Sequence, residues 1–336
     1  MTLVPGLPPG YSAEAGSTNA IAEAADCLAA CSQAEIGYSD ISAETLNAMW
    51  TLPHFDIGRD VVIVRDGAGT VVGVETSESR KPFAKVYSFG GVRPGHTGRG
   101  VGSALMRWAS IEAERRIVDA APDIEVAHEV FYPAEHEPSQ SLMSQLGFVV
   151  DRYHNAMALE FDGPPEPANV PDGIEIRQIR VGVDEVAGAL AADEAFADHY
   201  GHVPSPREDL IERFNHWVNH EDSDPSLMWL AWDGEEVAGN LWGWPIGDAN
   251  PEHGYIGSLG VRRPWRGRGL GRALLLWSFS EFYERGRTGV ELEVDSASLT
   301  GALGLYESVG MKTTGVYAQG SRVLRPGRSL ATTDLA

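Results

Sequence analysis

Three glycines at alternate positions, Gly267, Gly269 and Gly271, lie in the run Val261-Arg-Arg-Pro-Trp-Arg-Gly-Arg-Gly-Leu-Gly-Arg272. A β-rich stretch ends there and the helical spacing of Leu270, Leu274, Leu275 and Phe279 begins. Without Cβ atoms the chain can turn sharply and present consecutive backbone N–H groups at a helix N-terminus, which makes a cradle for an anion. Five arginines, Arg262, Arg263, Arg266, Arg268 and Arg272, crowd the same span. The whole chain carries 26 Lys+Arg against 48 Asp+Glu, a net charge of −22, so the local potential opposes the global one. A phosphorylated ligand follows from that contrast. A P-loop would need GxxxxGK[ST], and no lysine follows the glycines; a dinucleotide fingerprint would need glycine at position 272, which is Arg272. The pattern that remains is R-x-x-G-x-G.

A second segment lies downstream, Val294-Asp-Ser-Ala-Ser-Leu-Thr-Gly-Ala-Leu-Gly-Leu-Tyr-Glu-Ser-Val-Gly-Met311. It reads as a polar turn, a helix opened by Thr300 and Gly301 and carrying Leu305-Tyr306, and a Gly310-Met311 ending. Together the two segments resemble the GNAT superfamily of N-acetyltransferases. Arg266, Gly269 and Gly271 match its coenzyme A pyrophosphate loop, and the downstream run is similar to its pattern of polar residue, Ala, Leu-Tyr and Gly-Phe or Gly-Met. The resemblance implies acetyl-CoA as co-substrate, with Gly267, Arg268, Leu270 and Arg272 completing the cradle. It also implies that a backbone N–H from Leu259, Gly260 or Val261 polarises the thioester carbonyl. Ser298 stands at the usual Asn position beside the pantetheine arm, and Tyr306 becomes the acid that protonates the sulfur. A phenol with an ordinary pKa of about 10 stays protonated at neutral pH and can donate to a thiolate whose acid has a pKa of about 8.5. The implied reaction is acetyl transfer to a primary amine of a small-molecule acceptor. The alternative, a non-catalytic acyl-CoA-binding sensor or scaffold, would have no use for Tyr306.

The base is open among Glu291, Glu293 and Asp295 on or after a strand, and Asp198, His199 and His202 in an early helical stretch. Trp229, Trp232, Trp242 and Trp244 read first as hairpin packing.

The elements that must position these residues recur. VRPGHTGRGVGSAL from Val92 and VRRPWRGRGLGRAL from Val261 occupy the same relative place in each half of the chain. Each half also has an Asp-Gly turn between apolar runs, Asp66-Gly67 and Asp233-Gly234. The stretch Asp162–Gly173, with four prolines, continues neither a helix nor a central strand. The expected organisation is an α/β (α+β mixed-sheet) protein, a tandem duplication of the GNAT acyltransferase fold. Its parts are an N-terminal domain over 1–161, a linker over 162–173, a C-terminal domain over 174–325 and a tail over 326–336. The halves differ: Thr97 stands at the place of Arg266 and Met143 at the place of Tyr306, so the first half reads as non-catalytic.

Composition bounds the rest. With 43% hydrophobic and 22% charged residues the chain is globular, and its acidity disfavours nucleic acid and anionic membrane surfaces as partners. No apolar run reaches the roughly 18–20 residues of a membrane span, and the N-terminus lacks a signal-peptide pattern, so a cytoplasmic location is expected. The two cysteines, Cys27 and Cys31, and the ten dispersed histidines form no metal pattern. An oligomer is possible but not indicated.

Overall fold

The computed structural model describes residues 3–332 except 40, 222, 299 and 300; the helix start expected at Thr300 lies outside the described residues. The chain forms two compact units, one running from Leu3 to Tyr153 and including Val316–Leu330, the other spanning His154–Gly315 with Ala331 and Thr332.

In the first unit the strands are β1 (Ser12–Ala15), β2 (Val61–Arg65), β3 (Val71–Ser79), β4 (Lys85–Val92) and β5 (Val126–Pro133). Valines at 61, 62, 64, 71, 72 and 74 supply the β-branched surface of the β2–β3 hairpin, and the Asp66 carboxylate closes its turn by accepting the N–H groups of Ala68 and Thr70. Helices α1 (Ile21–Ile36) and α2 (Ala43–Trp50) cover one face. After the single turn α3 (Ile57–Asp60), α4 (Val101–Arg115) covers the other through Val101, Leu105 and Trp108, and α5 (Glu137–Gln145) follows β5. Cys27 and Cys31 are free, buried core residues of α1.

The second unit opens with residues of β6 (Val149–Glu160) and continues with β7 (Ile174–Gln178), α6 (Glu185–Phe196), α7 (Arg207–Asn219), β8 (Met228–Asp233), β9 (Glu236–Trp244), β10 (His253–Val261), α8 (Leu270–Glu284), β11 (Gly289–Asp295) and α9 (Ala302–Ser308). Its strand order is β6-β11-β10-β9-β8-β7. Helix α8 packs Leu270, Leu274, Phe279 and Phe282 onto one face, and α6 and α7 lie on the other with Ala191 and Val218.

The last strand, β12 (Lys312–Arg325), completes the first unit, where its residues Tyr317–Arg325 pair antiparallel with β5. Residues His154–Glu160 of β6 pair antiparallel with β11 in the second unit. The Pro-rich stretch lies inside that unit. Each unit holds one parallel pair among antiparallel neighbours, β4 with β5 and β10 with β11, the mixed α/β arrangement expected.

Candidate active site

Strands β10 and β11 are paired over only four residues, from His253 opposite Gly289 to Ile256 opposite Leu292. Beyond that point β10 runs on to Val261 and β11 to Asp295 without pairing, so the two strands part. The register of β10 against β9 breaks between Ile256 and Ser258, which makes Gly257 the extra residue of a bulge. At the strand's end the Arg262 N–H donates to the Ala238 carbonyl at 2.9 Å. Hydrogen-bonding direction alternates along an antiparallel ladder, so Gly260 and Ser258 also face β9, and the N–H groups of Leu259 and Val261 face the side that β11 has left.

The chain then turns through a short 3-10 segment, Arg263–Trp265, into the glycine loop. Gly267 and Gly269 take φ of +71° and +85°, values that an L side chain strains to adopt, and a Cβ at either would meet nothing within 4 Å. Gly269 is the N-cap of α8 and supplies no side-chain acceptor, so the first-turn N–H groups of that helix stand uncapped beside open space. Gly271 serves differently: a Cβ there would lie 3.4 Å from Leu305, so glycine lets α8 approach α9.

The arginines separate by role. Arg266 turns inward, donating to the Val261 carbonyl at 2.8 Å, to the Ala195 carbonyl at 2.9 Å and to the Asp198 carboxylate. Arg263 also reaches Asp198, at 3.1 Å, and Arg262 bonds the Val237 carbonyl at 2.7 Å and Glu194 at 2.8 Å. Arg272 pairs with Glu166 at 2.7 Å. Among the described residues, Arg268 is the one of the five without an acceptor, and it is exposed. The loop is built by its arginines more than it is lined by them. Burial pushes the Asp198 carboxyl up, but the guanidinium groups of Arg266 and Arg263 outweigh it and hold the carboxyl at about 2.

Tyr306 stands on α9, its ring buried with Leu270, Leu274, Val294 and Met311. Burial pushes its phenol up to about 12, and its hydroxyl has no hydrogen-bond partner among the described residues. Ser298 is half-buried in the turn before α9, its N–H on the Asp295 carbonyl at 3.1 Å and its carbonyl accepting from Gly301 at 3.2 Å.

The acetyltransferase (GNAT) family profile matches residues 190–311. A mycothiol acetyltransferase of Geodermatophilus obscurus is 31% identical over 259 residues, which are 75% of this chain and 79% of that protein. The crystal structure of a GCN5-related N-acetyltransferase from Sphaerobacter thermophilus superposes with a TM-score of 0.77 at 33% identity, covering 97% of this chain and all of that one. The chain belongs to the GNAT acetyltransferase family. A tandem GNAT protein from the clavulanic acid biosynthesis pathway shares the fold at 15% identity, with a TM-score of 0.68 and 95% of this chain covered. The tandem GNAT fold is therefore the architecture, and the enzyme is an N-acetyltransferase whose co-substrate is acetyl-CoA. No helix among the described residues is long and apolar enough to cross a membrane.

Within this acetyltransferase the candidate bases fare differently. Glu291 accepts the N–H groups of Ala249 and Asn250, each at 2.9 Å, and holds His253 Nδ1 at 2.8 Å, so its oxygens are committed to the loop before β10. Asp198 is committed to two arginines, and Glu293 is exposed. His202 lies 3.8 Å from Asp193. His199 is half-buried, edge-on to Phe196 with ring centroids 4.7 Å apart, and its ring nitrogens have no hydrogen-bond partner among the described residues. Ala195 and Phe196 press on Gly260, where a Cβ would lie 2.9 and 3.2 Å from them, so this end of α6 sits at the tip of β10. Burial pushes the His199 imidazole below its ordinary value; Asp198 and Asp295 pull it up, and Arg266 and His202 push it down. The net direction is downward, toward the neutral imidazole.

The first unit repeats the split without the bulge. Lys85 to Ser88 pair parallel with Ala127 to Val130, and the β3–β4 register is unbroken to Gly73 opposite Val92. Counted from the last parallel pair to the loop, the second unit has one residue more, Gly257. Gly98 and Gly100 keep left-handed φ of +71° and +89°, while Met143 is buried with Phe148. Lys85 Nζ meets Glu129 at 2.6 Å at the register position where His253 meets Glu291. Opposite Gly90 stands Glu75, at the register position of Leu241 opposite Leu259; burial pushes its carboxyl up to about 8, and its Oε1 has no partner among the described residues. None of these pairs showed in the sequence, because only the strand register brings them together.

Proposed function

We propose that the second unit carries the active site and transfers an acetyl group from acetyl-CoA to a primary amine of a small molecule. The observation that carries this reading is continuity: β10 ends on the outward N–H groups of Leu259 and Val261 and passes, through one short loop, into the uncapped N-terminus of α8. One extended ligand can thus have a carbonyl and a diphosphate held by the same stretch of backbone. The open space above Gly267 and Gly269 fits a pyrophosphate, with Arg268 as its loose cation and Leu270, Gly271 and Arg272 forming the first turn beneath it. Arg266 acts from behind, by fixing the loop. Ser298 would face the pantetheine arm.

The chemistry needs a neutral amine, a polarised carbonyl and a protonated leaving group. Leu259 and Val261 supply the N–H donors for the thioester oxygen. His199, neutral and unpartnered, takes the proton that the ammonium must lose before its nitrogen attacks the carbonyl carbon. As the carbon–sulfur bond breaks, Tyr306 gives its proton to the sulfur; the nitrogen, cationic after its attack, sheds its second proton through water to become the amide, and that proton restores the phenol. The first unit lacks both the bulge and the phenol and serves as a scaffold or passive coenzyme site.

The test is calorimetric titration with acetyl-CoA together with thiol release over a panel of primary amines. Gly269→Val places a β-branched side chain at a φ of +85° and should abolish coenzyme binding. Unchanged affinity in that variant would remove the loop from the site.

A further inference from the structure

The four tryptophans of the β8–β9 hairpin are not equivalent. Trp229 and Trp232 are buried core residues, but Trp242 and Trp244 are only half-buried and lie on the α6–α7 face of β9. They stack, with ring centroids 5.9 Å apart and planes at 26°. Trp217 of α7 meets them edge-on at 6.3 and 5.6 Å, and Phe214 meets Trp242 at 5.5 Å. This aromatic wall begins at the reacting centre: a Cβ on Gly257 would lie 2.7 Å from Trp244 Nε1, so the indole rests directly on the bulge and only glycine admits it there. Among the described residues two sealed polar atoms beside the wall have no partner, the Asn240 Oδ1 and the Trp242 Nε1. Asn240 is 4% exposed; its Nδ2 donates to Ser258 at 2.9 Å, and its Oδ1 lies against Gly260.

We infer that the acceptor is an arylalkylamine, its ring stacked on Trp244 and Trp242 and its nitrogen directed past Asn240 toward the tip of β10. The inference rests on the active-site reading above and names the substrate class for it. A net charge of −22 would by itself suggest a polycationic acceptor, but the buried carboxylates of this region, Glu291 and Asp198, are already engaged by protein partners. What faces the bulge is aromatic surface, which attracts an ammonium through its ring faces and binds a flat ring by stacking. A sugar amine would bring several hydroxyls, each needing a partner, to a wall built of four aromatic rings. The same apolar surroundings lower the pKa of a bound ammonium and ease its loss of a proton to His199.

The experiment uses the full chain saturated with coenzyme A, titrated with tyramine, spermidine and glucosamine and followed by calorimetry and tryptophan fluorescence. Tyramine should bind saturably and about tenfold or more tighter than the other two, the effect of one good aromatic contact. Trp244→Ala should weaken tyramine by about tenfold and leave coenzyme affinity intact, while Trp244→Phe, which keeps a ring, should stay within about threefold of wild type. Equal or tighter binding of spermidine or glucosamine, no tyramine binding, or tyramine binding indifferent to Trp244→Ala would each overturn the acceptor class. Failure of the wild type to bind coenzyme A would instead overturn the active-site reading, and this inference with it.

Discussion

Replacing Tyr306 with Phe separates chemistry from structure more cleanly than any other change in this protein. The hydroxyl has no hydrogen-bond partner among the described residues, so its removal breaks no bond, and the ring stays among Leu270, Leu274 and Met311. Stability should therefore move by less than about 0.5 kcal/mol, and acetyl-CoA affinity by less than about twofold. Loss of a positioned proton donor should lower kcat by roughly 10²–10⁴-fold, or about 3–5 kcal/mol of barrier. The pH dependence adds a second check. With its phenol pushed up to about 12, Tyr306 stays protonated across the assay range and produces no basic limb there. His199, held below the ordinary imidazole value, must be neutral to act, so kcat/KM should fall on the acid side with a midpoint below that of an ordinary imidazole. Thiol release with the best amine of the panel, in steady state and single turnover, reads all of this. Met143→Leu, a volume-conserving change at the matching position of the first unit, should leave kcat unchanged. Wild-type turnover by Tyr306→Phe would refute the acid, and lost turnover by folded Met143→Leu would refute the division between the units.

Two further outcomes concern buried charge. The Asp198 carboxyl sits near 2 in the fold against about 3.9 unfolded, so its stabilisation is present above about pH 4 and disappears as pH falls through 2. Discounted for the exposure of Arg263, Asp198→Asn should cost about 1–2 kcal/mol at pH 7 and flatten the acid part of a denaturation series. Glu75 behaves oppositely: its carboxyl, up at about 8, stays protonated while the unfolded chain ionises, so the wild type should lose on the order of a few kcal/mol between pH 4.5 and 8. Glu75→Gln should remove that slope, and an identical slope in the variant would show that another group causes it.

The sequence alone determined whatever depends on neighbouring residues. Gly267 and Gly269 announced their left-handed turn because the requirement for φ above zero is met within a residue or two. Asp66-Gly67 and Asp233-Gly234 marked their hairpins for the same reason, and the spacing of Leu270, Leu274 and Phe279 marked the buried face of α8. The duplicated glycine loops identified the tandem family. Tertiary structure decided the rest, because partners far apart in sequence leave no local pattern. Arg266 was legible as a cation of the loop, but its partner Asp198 lies 68 positions away, and only their contact turns the side chain inward. Glu291 looked available until the turn at Ala249 and Asn250 claimed its oxygens. Residues Tyr317–Arg325 of the final strand pair in the first unit because an edge strand's N–H and C=O groups accept any partner of matching register, and side-chain alternation does not say which sheet supplies it. The bulge at Gly257, which sets the two units apart, exists only as a mismatch between two strands and so becomes visible only once both are in place.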